Sequence, residues 1–176
     1  MKKKVLKVFL IDVDGVMTDG AMYYASNGKK MKAFGPDDHD GLCLLKPYLK
    51  IHFVSGDQRG FPISKARIVD DMKMPLHLVS TVKRIHWIKK KWNPKEVIYM
   101  GDGIFDHYVF KEVGYSIAPA NADIYAKRVA NFVTRRNGGD RAVAEACLHI
   151  LKRFFKPYNP NALPEKQVRF SGKWKA

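Results

Sequence analysis

Cysteine is nearly missing from these 176 residues: only Cys43 and Cys147 are present, far apart and each inside an apolar pattern. That usage excludes a disulfide scaffold and offers no metal-site spacing. It fits buried thiols in a reducing compartment. The six histidines likewise show no ligand spacing, so surface or core-edge positions are expected for them. Long hydrophobic runs are absent too, and nothing approaches a membrane span. The opening "MKKKVLKVFLIDVDG" has the charged start of a signal peptide, but its apolar run is short and ends in Asp12 without a small-residue cleavage site. A soluble, cytoplasmic chain is the expectation. Acidic residues are also few, 17 against 32 basic ones, for a formal charge of +15. A basic solvated surface, an anionic small molecule and nucleic acid all answer to that charge. The nucleic-acid reading lacks a zinc-finger spacing, an aromatic RNA-binding signature and a helix-turn-helix.

What is present is a run of strands alternating with helices, in a length suited to one well-cored domain. Residues 5–11 are apolar except for Lys7, as expected of a central strand covered on both faces. "AMYYASNGKKMKAF" reads as a hairpin over residues 21–34 turning at Asn27-Gly28. The following helix is limited by Pro47. Further strands are read at 51–54, in "PLHLV", "EVIYM", "GYSIAPA" and "FVT", with helices between them and a longer one in "DRAVAEACLHILKRFF". The fold class is α/β, an open and mostly parallel Rossmann-like sheet flanked by helices, with the hairpin inserted after the first strand. Residues 1–156 form the domain, and 157–176, rich in breakers and basic groups, form a tail.

The chemistry lies where strands should end. "VFLIDVDGVMTDG" runs from apolar residues into Asp12, Asp14 and Asp19, and "VIYMGDGIFD" runs into Asp102 and Asp106. Ligands in open α/β sheets collect beyond the carboxyl ends of strands, beside a switch in strand order. Clustered carboxylates are costly without a counter-ion, and oxygen ligation suits Mg²⁺. Asp12 and Asp102 are the candidate direct ligands, with the Asp14 carbonyl contributing and Asp106 steadying the site. Asp12 can also attack phosphorus, and Asp14 can serve as acid and then base. Ser55 and the Gly56 N–H offer donors to a phosphoryl group, and Lys83 offers a point charge. Singly, each has a plainer reading: a cap or turn for Ser55, Asp102 and Asp106, and a solvent-facing side chain for Lys83. Their joint order weakens those readings.

With "DVDGVMTDG", "VSG", Lys83 and "GDGIFD" in that order, residues 5–151 resemble the haloacid-dehalogenase-like phosphatases. The resemblance is to the small branch without a cap domain that contains the 3-deoxy-D-manno-octulosonate 8-phosphate phosphatases. It implies a Mg²⁺-dependent phosphatase acting on a small phosphorylated sugar or nonulosonic acid. It also implies a homotetramer built through the hairpin, in which a neighbouring chain closes the site. Arg67 matches an arginine that could meet a substrate carboxylate, Asp38 matches a substrate-side polar position, and Arg59 is a further candidate. Three residues depart from the branch: Asp57 after the second motif, Gly103 in place of a second consecutive aspartate, and Ala144 where arginine is usual. Two other functions remain open on these residues, a polynucleotide-end phosphatase and a non-catalytic anion-binding or assembly protein.

Overall fold

The computed structural model describes residues 5–164. Six strands form one sheet: β1 Val8–Asp12, β4 Lys50–Ser55, β5 Leu76–Leu78, β6 Val97–Met100, β7 Tyr115–Ala118 and β8 Phe132–Val133. Their order is β5-β4-β1-β6-β7-β8, and every neighbouring pair is parallel. A separate antiparallel hairpin, β2 Tyr23–Ala25 with β3 Gly28–Met31, follows β1. The helices are α1 Asp37–Leu45, α2 Phe61–Lys65, α3 Arg84–Lys91, α4 Asp106–Phe110, α5 Ile124–Val129 and α6 Ala142–Phe154. No further domain covers the sheet among the described residues.

The unbroken apolar run of β1 is explained by its position. Phe9 and Ile11 point into a core with Leu42 of α1 and Ala146 and Ile150 of α6, whereas Val8 and Leu10 point into a second core with Ile88 of α3 and Ala126 of α5. Alternate side chains thus meet helices on both faces, and each such burial contributes roughly 1.5–3 kcal/mol. α1 stops at Leu45, two residues before Pro47, which cannot extend it.

Topology and register then place the site. After β1 the chain goes to one side to make β4 and later to the other to make β6, so a switch in strand order falls beside β1. Asp12 pairs with Val54 and Ile11 with Met100. Ser55 and Asp102 therefore emerge at the same sheet edge as Asp12.

Phe34, at the end of the hairpin segment, packs on the sheet core. Residues 156–164 are exposed and carry no helix or strand. The rest of the tail, with Arg169, Lys173 and Lys175, lies outside the described residues.

Candidate active site

The turn after β1 is set by Asp12 and Thr18. Val13 N–H donates to Asp12 Oδ1 at 2.8 Å, and Thr18 N–H closes the turn on the Val13 carbonyl at 3.1 Å. Gly15 sits between them at φ +81°, and a Cβ there would lie 2.0 Å from Asp102 Oδ2. Only glycine meets both demands, so the β1 turn and the β6 turn approach each other directly.

That approach gathers three carboxylates. Asp12, Asp102 and Asp106 each present an oxygen, all within 4.8 Å of one another. Burial pushes Asp12 up to about 7, against the opposing pull of Arg84. Burial and the neighbouring Asp12 and Asp106 push Asp102 up to about 8. Both shifts express one cost, negative charge crowded into low dielectric. An all-oxygen donor set with excess negative charge fits a hard divalent cation, held by Asp12 and Asp102 with Asp106 beside them.

Arg84 supplies the only side-chain cation bonded to this cluster among the described residues. Its Nη1 donates to Asp12 Oδ2, to Tyr99 Oη at 2.6 Å and to Asp106 Oδ1 at 3.4 Å. Tyr99 Oη in turn donates to Asp106 Oδ1 at 2.7 Å, and Gly103 N–H donates to Asp106 Oδ2 at 2.9 Å. Arg84 Nε and Nη2 are buried without a partner. An unsatisfied guanidinium edge beside a carboxylate cluster suits a bidentate oxyanion.

Asp14 is held from both sides. Ser55 Oγ donates to Asp14 Oδ2 at 2.8 Å, and Lys32 Nζ of the hairpin lies 2.6 Å from Asp14 Oδ1. Lys32 Nζ also lies 2.9 Å from Asp57 Oδ2, to which Lys29 pairs as well. Although burial opposes it, hydrogen bonds from Lys29 and Lys32 pull Asp57 down to about 2. Asp12, Asp14, Gly56, Asp57, Arg84 and Asp102 are among the walls of one cavity of about 380 Å³. Gly103 and Asp106 line it too.

The structure thus brings together Asp12, Asp14, Ser55, Gly56, Asp102 and Asp106. Other candidates lie elsewhere. Lys83 is exposed and faces a separate hollow with Leu78, His86, Trp87 and Lys90, because it ends the turn Thr81–Lys83 just before α3. The neighbouring Arg84 takes the inward position. The signal for it was available: Arg84 stands four residues before the buried Ile88, on the same helix face. Val82, in the same short turn as Lys83, is 58% exposed. Arg59 is exposed and does not line the cavity. Arg67 bonds Asp71 and the Gly35 carbonyl, keeps its Nε buried without a partner, and does not line the cavity. Asp38 is fully buried, and its Oδ1 accepts from Ala144 N–H at 2.8 Å, which makes it a cap for α6 rather than a cavity residue. Asp19 caps its own turn by accepting from Ala21 N–H. The hairpin lysines Lys29 and Lys32 were missed because an exposed strand gives no sign of where a long side chain reaches.

A buried aspartate able to take phosphorus, a second aspartate two residues on, and an oxygen-only cation cluster make this a phosphatase-type site. Residues 80–146 match the family described as haloacid dehalogenase-like hydrolase. The chain is 33% identical over 156 residues to the 3-deoxy-D-manno-octulosonate 8-phosphate phosphatase KdsC of Escherichia coli K12, spanning 83% of this chain and 79% of that one. It is similar in structure to the cobalt-bound YrbI phosphatase of Haemophilus influenzae, with a TM-score of 0.75 and 30% identity, covering 86% of this chain and 91% of the other. The Moraxella catarrhalis 3-deoxy-D-manno-octulosonate 8-phosphate phosphatase, solved with magnesium, phosphate and KDO, matches at a TM-score of 0.73 and 29% identity, over 86% and 88% of the two chains. This chain belongs to the haloacid-dehalogenase-like hydrolases, in the KdsC/YrbI-like branch of phosphatases that lack a cap domain. It is an enzyme of the phosphatase class.

Proposed function

We propose that this protein is a Mg²⁺-dependent phosphomonoester hydrolase that works through an aspartyl-phosphate on Asp12, with a small phosphorylated sugar or 3-deoxy-octulosonate-like acid as substrate. The observation that carries the reading is the convergence of Asp12, Asp102 and Asp106 within 4.8 Å beside the doubly held Asp14. Asp12 attacks phosphorus, an O–P bond forms, and the ester P–O bond breaks. The departing alkoxide takes its proton from Asp14. Asp14, now a carboxylate, accepts a proton from water as that oxygen attacks phosphorus, releasing phosphate and freeing Asp12. Arg84 holds Asp12 in place and offers its unsatisfied nitrogens to the phosphoryl oxygens, the task first assigned to Lys83. Ser55 orients Asp14, and the Gly56 N–H faces the transferred group. Magnesium, when bound by Asp12 and Asp102, supplies charge neutralisation for cluster and phosphoryl group alike.

Support for the substrate class comes from the three related phosphatases named above. Asp57 stands on the wall a sugar acid would meet, with its charge taken up by Lys29 and Lys32. The chain acts as a cytoplasmic homotetramer in this reading. Met22, Tyr23, Tyr24 and Met31 leave a two-stranded hairpin with uncovered apolar side chains, which further strands would cover. A phosphate-release screen over octulosonate 8-phosphate, hexose phosphates, nucleotides and a phosphorylated oligonucleotide, with and without Mg²⁺, tests the proposal. Metal-dependent turnover fastest on a sugar phosphate is expected. Faster turnover of the oligonucleotide, or binding without turnover, would replace it.

A further inference from the structure

Lys32 directly follows β3 and is the most confined charged side chain of the hairpin segment: its side chain is 1% exposed, with Lys29 beside it at 2%. An ammonium group has three N–H donors. Here three acceptors surround it: Asp14 Oδ1 at 2.6 Å, Asp57 Oδ2 at 2.9 Å and Ser64 Oγ at 2.9 Å. A lysine so occupied has no donor left for a substrate. It holds protein to protein.

What it holds is specific. The Asp14 carboxyl would pivot about its bond to Cβ if Ser55 alone gripped it, and the second contact from Lys32 to the other oxygen fixes the plane. Lys32 is itself held by Asp57, whose Oδ1 accepts from Gly60 N–H at 3.0 Å and whose own N–H donates to Ser55 Oγ at 3.1 Å. The packing leaves no slack, since a Cβ at Gly60 would lie 2.1 Å from Asp57 Oδ2 and 2.7 Å from Lys32 Cε. Hairpin, β4 turn and α2 therefore meet at a single ammonium group. Asp57 belongs to that clamp rather than to a surface for the substrate's own charge.

We propose that Lys32 is a positioning residue that, clamped by Asp57 and Ser64, fixes the Asp14 carboxyl for proton transfer to the leaving group. This rests on the phosphatase reading above, with Asp14 as the acid. It distinguishes two kinds of ester. An alkyl phosphate such as a sugar phosphate must have its alkoxide protonated as the bond breaks. p-Nitrophenyl phosphate releases a stabilised phenolate that needs no proton.

The experiment measures kcat/KM, which reports only the steps up to leaving-group release and not the hydrolysis of the aspartyl-phosphate, for Lys32→Met, Lys32→Arg and Asp57→Asn on a sugar phosphate and on p-nitrophenyl phosphate, at saturating Mg²⁺. For Lys32→Met, kcat/KM on the sugar phosphate should fall ~10²-fold or more while p-nitrophenyl phosphate stays within about threefold, the range of a lost general acid. Lys32→Arg, which keeps a charged donor, should recover part of the sugar phosphate rate. Asp57→Asn should show the same selectivity at smaller size, and it keeps the question decidable if Lys32→Met does not fold. Equal loss on both substrates would overturn the proposal, since it marks a structural or phosphate-binding role, and so would no loss on either. A wild-type protein that releases phosphate from neither substrate would instead overturn the phosphatase reading, which separates the two failures.

Discussion

Replacing Arg84 by methionine removes the charge on which the buried carboxylates depend. Arg84 is wholly buried, and its Nη1 is shared among Asp12, Tyr99 and Asp106. Burial alone would weaken its hold on the proton, but Asp12, Tyr99 and Asp106 carry it well above the ordinary arginine range. Taking one partner from a buried ion pair costs about 3–5 kcal/mol, because the other charge is left uncompensated. For a chain of this length that is a fall in Tm of roughly 6–20 °C in chelator. A cation at ~100 times its Kd adds about 2.7 kcal/mol to any form that binds it, wild type included, so Mg²⁺ should raise both Tm values without closing the gap or restoring turnover. Loss of its hydrogen bonds to the transferring group should cost about 10²–10³ in kcat. The control is Lys83→Met, which should stay within about 0.5 kcal/mol and keep its activity. Thermal unfolding and phosphate release on the two variants decide the matter. If Lys83→Met carries the larger loss, the assignment of the inward cation is refuted.

Other residues give independent checks. Burial raises Asp38 from 3.8 to about 6. The native state therefore holds this proton more tightly than the unfolded chain, so its contribution is greatest below pH 4 and is lost as pH rises to 6, ~3 kcal/mol in all. Asp38→Asn should flatten that dependence in urea titrations and stabilise the protein by about 1–3 kcal/mol at pH 7; an unchanged pH profile would contradict the burial argument. Gly15→Ala should abolish Mg²⁺-dependent stabilisation, since its Cβ would fall 2.0 Å from Asp102 Oδ2; calorimetric Mg²⁺ binding at wild-type affinity would show that the two turns can part. Tyr23→Lys with Met31→Lys charges a directly paired, exposed site on the hairpin, and light scattering should then report monomers if the hairpin carries the proposed assembly. Assembly that persists would move the interface elsewhere.

The elements most legible in the sequence were those whose burial is uniform. β1, β4 and β6 carry apolar runs that end at an acid or just before a glycine, β7 one that ends before Pro119, and the register of parallel strands then fixes Asp12, Ser55 and Asp102 at one edge without further information. Asp12, Asp14 and Asp102 were legible because carboxylates at strand ends have no packing role to explain them. Lys83 was read for its charge, whereas helix phase sets which of two adjacent side chains turns inward. Of two adjacent cations, the one in register with Ile88 is the buried one. Arg67 and Asp38 were misplaced for a related reason, since an arginine or aspartate near a site in sequence can be consumed by a neighbouring turn or helix end. The Lys32 clamp could not be read at all. It depends on a hairpin folding back over a loop 25 residues further along, and no local pattern encodes that distance.

The most direct measurement is a rapid acid quench with ³²P-labelled sugar phosphate and Mg²⁺, followed by borohydride reduction and peptide mass analysis. ³²P on the acid-quenched protein that borohydride then releases, homoserine at position 12 in the reduced peptide, and loss of label, homoserine and turnover in Asp12→Asn, are the results this account requires. Full phosphate release by Asp12→Asn, or label trapped on another residue, would contradict it.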